Sequence, residues 1–291
     1  MVKLLLYIVK KKEGSFMLLE TKKKTYDLTK HSHVMGILNV TPDSFSDGGL
    51  YHTTKRALER ALRMEAEGAD IIDVGGESTR PSHSKVSEDK EIDRVIPIIE
   101  ELSKHLTIPI SIDTYKSETA RLAIEAGADI INDVWGAKKD KRIAEIAASY
   151  KTPIILMHNR ADKKYNDLIT DMKRDLNESI NIAREAGVNS RKIILDPGIG
   201  FAKTPADNYE VLKHLDEFVQ MGYPILLGTS RKSFINAVIP TEPNQRDNAT
   251  GATTCLGITK GVQIYRVHDV KRTVELAKMM DAMIKGGSSI G

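Results

Sequence analysis

One cysteine, Cys255, in a chain of 291 residues leaves no partner for an internal disulfide and no thiol cluster for zinc. Such usage suits a reducing compartment, and the cytoplasm is the expected location. Cys255 itself reads as a small buried apolar residue. No apolar run approaches the roughly 20 residues that span a bilayer. The nearest candidate for a targeting signal, MVKLLLYIVKKK at the start, is too short to span. It carries its lysines on the wrong side for secretion, and no small-residue cleavage site follows. Residues 1–16 are therefore expected to be an extension, disordered or a start-site artefact, with Met17 as the alternative start. Charge of one sign is also missing: 43 Lys and Arg face 40 Asp and Glu, a net +3. That balance argues against nucleic acid or a membrane surface as main partner and turns attention to small molecules. No Pro/Gly/Ser-rich linker or low-complexity tract divides the chain, so residues 17–291 are expected to form one domain.

What is present is an ordinary globular composition, 41% hydrophobic and 29% charged, arranged in alternation. Eight short β-branched runs lie at 34–40, 70–76, 109–114, 129–134, 153–158, 192–200, 224–230 and 262–269. Their continuous apolar character predicts parallel strands covered on both faces. Helical patterns separate them. Leu58, Ala61, Leu62 and Ala66 share one predicted face, and Ile92, Val95, Ile96 and Ile99 another. A helix is expected through Asp171 to Ala186, and another over KRTVELAKMMDAMIKGG, whose Met279, Met280 and Met283 read as core or a helix-packing face. Glycine closes several helices, as in EAEGAD, EAGADI and EAGVNS. Eight strand–helix units in about 250 residues are the count and length of a (β/α)8 TIM barrel; a doubly wound open sheet is the alternative. Residues 17–33 predict a hairpin that closes the N-terminal end of the barrel.

A barrel builds its active site at the C-terminal strand ends. Here those ends carry Asn39, Asp113, Asn132 with Asp133, His158, Asp196, Lys232 and the pair Arg266 and His268. Any one of them is more often a helix cap or turn former than a catalyst. Together they would be costly in one apolar interior unless a ligand or one another satisfied them. Asp113, Asn132 and Asp196 suit a flat heterocycle with N–H donors, and Lys232 can donate to its carbonyl. Arg266, His268 and Asn39 make a polar corner fitted to a diphosphate and its magnesium.

Seven stretches in order, MGILNVTPDSFSDGG, DIIDVGGESTRPS, ISIDTYK, INDVWG, LDPGIGFAKT, GTSRKSFI and YRVHDV, resemble the dihydropteroate synthase family of bacterial folate biosynthesis. The match runs from about Met35 to Lys285. It implies a pterin-binding TIM barrel, a homodimer and a sulfonamide target. The implied transferase reaction joins 6-hydroxymethyl-7,8-dihydropterin diphosphate to 4-aminobenzoate with Mg2+ as cofactor. By matching positions, Asp113, Asn132, Asp196 and Lys232 would bind the pterin, and Arg266 and His268 the diphosphate. Asn39 would join them there and ligate the metal. Two loops, 41–49 and 77–82, would close over the site and supply Phe45, Ser46, Thr79, Arg80 and Pro81, with Phe201 and Ser233, to the aminobenzoate. Asp47 and Asp113 would lie near a cationic methylene in a dissociative step. Aminobenzoate's arylamine is already neutral, so neither His158 nor His268 is needed as a strong base.

One position departs from the family, which commonly has glycine where Ser82 stands. Serine lacks glycine's freedom at positive φ, so altered affinity for aminobenzoate or sulfonamides is expected rather than loss of activity. Unchanged kinetics and inhibitor binding in Ser82→Gly would remove that expectation. Other residues carry plainer readings. Asp73, mid-strand, is expected to bond a neighbouring strand or side chain; His158 is balanced between rim and ligand; Arg231 is equally structural. Two functional alternatives stand beside the synthase: the pterin barrel of corrinoid-dependent methyltransferases, which would not need Arg80, Lys232 and the diphosphate corner, and a non-catalytic pterin-binding paralogue, which should have lost its closing loops.

Overall fold

A computed structural model describes residues 17–40, 49–77 and 86–285. It opens with an antiparallel pair, β1 (Leu18–Glu20) and β2 (Thr25–Asp27), in which Leu19 faces Tyr26. Eight parallel strands follow: β3 (His33–Asn39), β4 (Ile71–Gly75), β5 (Ile110–Asp113), β6 (Ile130–Asp133), β7 (Ile154–Met157), β8 (Ile193–Asp196), β9 (Leu226–Leu227) and β10 (Ile264–Val267). Their order is β8-β7-β6-β5-β4-β3-β10-β9, and a parallel bridge between Leu195 and Ile225 joins the ends into a ring. The barrel, rather than the open sheet, is the fold.

Around it run α1 (Gly49–Ala66), α2 (Glu88–His105), α3 (Ser117–Glu125), α4 (Arg142–Ser149), α5 (Leu168–Glu185), α6 (Pro205–Lys213), α7 (Leu215–Val219), α8 (Ser233–Asn236), α9 (Asp247–Thr259) and α10 (Val270–Lys285). All eight sequence-predicted strands are present, most of them trimmed at the C-terminal end where polar residues leave the ladder. The run 192–200, for example, stops at Asp196 because Pro197 donates no hydrogen bond and Gly198 turns away at φ 66°.

Strand alternation divides the core in two. Val34, Leu38, Ile72, Val74, Ile110, Ile112, Ile131, Leu156 and Leu195 point outward into a shell shared with the helices. Met35, Ile71, Ile130, Ile155, Ile194, Leu226 and Ile264 point inward and form one layer with Leu19, Tyr26 and Leu28 of the hairpin segment. The hairpin thus closes the N-terminal end, as expected. Each large side chain in that layer contributes about 1.5–3 kcal/mol by leaving water. Tyr26 keeps its hydroxyl satisfied by donating to the Asp70 carbonyl at 2.6 Å.

Three expectations about packing need correction. On α1 the buried stripe is Ala57, Ala61 and Met64, while Leu62 is 38% exposed and Ala66 is exposed. The small alanines let the helix approach the barrel closely, which turns the larger Leu62 outward. Met279 and Met283 are 60% and 59% exposed, so they are not core; only Met280 packs against it. Cys255 is half-buried on α9 rather than fully enclosed. Among the described residues, no helix is long and apolar enough to cross a membrane.

Candidate active site

The same alternation that sends Ile71 and Ile130 into the apolar layer sends Asp73, Asp113, Asn132, Asp196 and Arg266 into the layer above. Arg266 Nε donates to Asp73 Oδ2 and Nη2 to Asp113 Oδ2, each at 2.6 Å, and Asn132 Nδ2 donates to the same Asp73 oxygen at 3.2 Å. Burial pushes the Asp113 carboxyl up to about 7, against the pull of Arg266. Burial would lower the Arg266 guanidinium, but the two carboxylates hold it above its ordinary value. Asp73 is therefore the post to which Arg266 and Asn132 are tied. Expected to bond a neighbouring backbone or a barrel side chain, Asp73 meets the side chains of Arg266 and Asn132.

Asp196 and Lys232 form the opposite wall. Asp196 Oδ1 accepts from Gly198 N at 2.7 Å, and burial raises its pKa despite the nearby Lys232. Lys232 donates to the Ile199 carbonyl and lies 4.7 Å from the Phe201 ring centre. Burial lowers its ammonium to about 8, with Asp196 opposing the shift. Gly228 lies beside both: a Cβ there would sit 3.8 Å from Asp196 Oδ2 and from Lys232 Nζ, an ordinary contact. Lys232 is delivered by a strained neighbour, since Arg231 has φ 59°. That conformation is held by a two-point ion pair with Asp247 at 2.8 and 2.7 Å, and by Arg246 donating to the Arg231 carbonyl at 3.1 Å. Arg231 is structural, one of its two expected roles. Ser233 sits exposed at the start of α8.

At the rim, Asn39 ends β3 beside Gly75 of β4, where an added Cβ would meet Asn39 Oδ1 at 3.8 Å and Asp113 Cβ at 3.5 Å. His268 lies across the mouth, its Nδ1 2.9 Å from Ser230 Oγ. Arg266, bonded to Asp73 and Asp113, and His268, bonded to Ser230, stand two residues apart at the end of β10. Glu77, the one described residue of the second loop, accepts from Lys116 at 2.6 Å, and Lys116 also donates to the buried Glu91. Phe45, Ser46, Asp47, Thr79, Arg80, Pro81 and Ser82 lie outside the described residues.

Two strand-end residues do not reach the mouth. Asp133, next to the inward Asn132, faces away and accepts from Trp135 N at 2.8 Å and Ala137 N at 2.6 Å, a turn cap. His158 is fully buried between β7 and α5, 3.0 Å from Asp175 Oδ2 and from Lys203 Nζ. Burial lowers its imidazole to about 4. Lys203, also buried, drew no sequence attention beyond its place in a motif.

The opposite end of the barrel offers a weaker cluster. His31, His33 and Asp70 bring one ligand atom each within 4.8 Å. The two imidazoles are stacked, with centroids 4.2 Å apart and planes 26° from parallel. Ring-nitrogen lone pairs lie in the ring planes, so these do not converge on one ion.

A family model described as pterin binding enzyme matches residues 35–268. The chain belongs to that family. Within the pterin-binding enzymes it is 57% identical over 270 residues to the dihydropteroate synthase of Bacillus subtilis, covering 92% of this chain and 95% of that one. The crystal structure of Clostridium difficile dihydropteroate synthase in the presence of pteroic acid superposes with a TM-score of 0.87 at 50% identity, covering 89% of this chain and 99% of that one. Xanthomonas albilineans dihydropteroate synthase with 4-aminobenzoic acid gives a TM-score of 0.88 at 40% identity, covering 92% and 98%. Membership of this branch of the pterin-binding enzymes makes the chain a transferase.

Proposed function

We propose that this chain condenses 6-hydroxymethyl-7,8-dihydropterin diphosphate with 4-aminobenzoate, giving 7,8-dihydropteroate and pyrophosphate in the cytoplasm. The observation that carries the reading is the convergence of Asp113, Asn132 and Asp196 with Lys232 in one buried mouth, which matches the donors and carbonyl of a pterin ring. The resemblance to proteins crystallised with pteroic acid and with 4-aminobenzoic acid supports it.

In the proposed reaction the methylene C–O bond breaks first, and the diphosphate leaves with the electron pair. Asp113 and Asp196, ionised beside Arg266 and Lys232, stabilise the cationic pterin methylene, and their burial strengthens the attraction. His268 and the Nη1 edge of Arg266 hold the departing diphosphate. The arylamine nitrogen then attacks, and the proton it loses passes to water, so no strong base is required. The loops at 41–49 and 77–82 exclude water from the cation, and Phe201 and Ser233 complete the aminobenzoate site. Asp47 of the first loop adds negative charge.

Mg2+ fits as an ion carried on the diphosphate. Asn39 Oδ1 faces the mouth beside Gly75 and takes no hydrogen bond from another described residue. Mg2+ keeps most of its waters and binds phosphate oxygens, so one protein oxygen suffices. When bound, it would neutralise charge on the leaving group. A homodimer is also proposed, through the exposed Met279, Met283 and Ile284 on α10.

Pyrophosphate release, measured with and without 4-aminobenzoate alongside chromatography of dihydropteroate, tests the reading. Aminobenzoate-dependent turnover that Lys232→Ala and Arg266→Ala abolish is expected. Tight pterin binding without product would overturn it in favour of a non-catalytic paralogue. Sedimentation of Met283→Lys as a monomer would confirm the α10 interface.

A further inference from the structure

Between β8 and α6 the backbone leaves the barrel wall, and many polar groups of this loop are held by named partners. Asp196 Oδ1 accepts from Gly198 N at 2.7 Å, Asn208 Oδ1 from Gly200 N at 2.6 Å, and Gly198 O from Phe201 N at 3.1 Å. Tyr165 donates to the Ala202 carbonyl at 2.8 Å, and Lys232 to that of Ile199. The loop ends on a reciprocal cap in which Thr204 N donates to Asp207 Oδ2 at 2.7 Å and Asp207 N to Thr204 Oγ1 at 3.2 Å. Beneath it lies Lys203, only 4% exposed. Its Nζ reaches the carbonyls of Gly198 at 2.9 Å and Phe201 at 3.1 Å, and His158 Nδ1 at 3.0 Å.

The direction of the last bond can be derived. Asp175 bonds Arg160 through both oxygens, one at 3.2 Å, and burial notwithstanding, His158 and Arg160 hold its pKa below the ordinary range. An ionised Asp175 accepts, so His158 Nε2, 3.0 Å away, carries the proton and Nδ1 is left as an acceptor. Protonated, Lys203 therefore meets three acceptors with three donors; because burial lowers its ammonium to about 7, the match is complete only on the acid side of that value. A methionine or leucine would fill the same volume without desolvating a charge, but could not gather three acceptors at one point.

We propose that Lys203 is a positioning residue for the substrate sites. Its ammonium fixes the β8–α6 loop, and with it the carboxylate of Asp196 and the ring of Phe201, to the buried His158–Asp175–Arg160 chain. This rests on the assignment of Asp196 to the pterin and Phe201 to the aminobenzoate. Because Asp196 is also held by its strand and Phe201 by the loop alone, the aminobenzoate site depends on Lys203 more than the pterin site does.

The test compares wild-type protein with Lys203→Met and Asp175→Asn. Asp175→Asn leaves the volume unchanged while removing the charge that sets the His158 tautomer. In Lys203→Met, KM for 4-aminobenzoate is expected to rise about 10-fold or more, with KM for the pterin diphosphate and kcat changing less, as displaced supporting groups do. Asp175→Asn should shift KM the same way by a smaller factor. Equal effects on both KM values, or none in a folded variant, would overturn the proposal. Nitrogen-15 NMR of His158 gives a readout independent of turnover. Wild type should show a bare Nδ1 whose shift moves when Lys203 is replaced, together with the Phe201 ring resonances. A protonated Nδ1 in wild type, or Phe201 signals indifferent to Lys203→Met, would also overturn it. Absence of turnover in wild type would instead count against the synthase reading, leaving the NMR result to decide the role of Lys203.

Discussion

The two ends of the barrel are built from the same strands, two residues apart, and do opposite things. At the N-terminal end Met35, Ile71, Ile130, Ile155, Ile194, Leu226 and Ile264 meet the hairpin in one apolar layer. One turn of the pleat higher, the charged Asp73, Asp113, Asp196 and Arg266 and the polar Asn132 fill the same cross-section. The lower layer needs no ligand, since its favourable term is area removed from water. The upper layer must satisfy each group against another or against a bound molecule, which is why the chemistry can reside there. Stability and function are thus separated along the barrel axis.

The sharpest way to break this separation is Gly198→Ala in the upper half. Gly198 has φ 66°, and a Cβ would lie 2.0 Å from the His158 carbonyl oxygen. A loss of about 4 kcal/mol or more and of turnover is expected, read by urea denaturation and the pyrophosphate assay. Next comes Asp73→Ala, which leaves Arg266 with one buried partner. A cost of about 3 kcal/mol is expected, with a weakened pterin affinity in calorimetry because Asn132 loses its anchor. Leu19→Ala, in the lower layer, should cost about 2–3 kcal/mol yet leave both KM values unchanged, and a shifted KM would show that the ends are coupled.

A smaller effect concerns pH. Burial lowers Lys203 from 10.5 to about 7, so between those values the unfolded chain binds more protons than the folded one. Stability from this group therefore rises with pH across that window, by about 1.4 kcal/mol for each pH unit at most. The stability difference between wild type and Lys203→Met should grow between pH 7.5 and 9.5 in paired denaturation curves; a constant difference would place the charge in contact with water. Last, Ile71→Val, two residues below Asp73, is expected to cost about 1 kcal/mol with unaltered kinetics.

The elements were legible because covered parallel strands announce themselves as short β-branched runs, and glycine marks where helices stop. Strand ends were legible to within a few residues, and the inward groups Asp113, Asn132, Asp196 and Lys232 were found from their position alone. The partners of Arg266 and His268 were not, because Asp73 and Ser230 are remote from them in sequence. Nor was the rotation of α1, which follows from how closely Ala57 and Ala61 let the helix approach. Asp133 and His158 look like their neighbours in sequence, and only the barrel's inside and outside separate them from the site.

The chain by itself thus determined the barrel, the hairpin that closes it, the family and the strand ends that carry polar groups, since these follow from local pattern and spacing. Tertiary structure alone decided which of those groups share one volume, which two carboxylates hold Arg266, and that Lys203 lies beneath the β8–α6 loop among three acceptors. Such pairings join residues tens to hundreds of positions apart, and low-dielectric burial, which no local pattern encodes, gives them their strength.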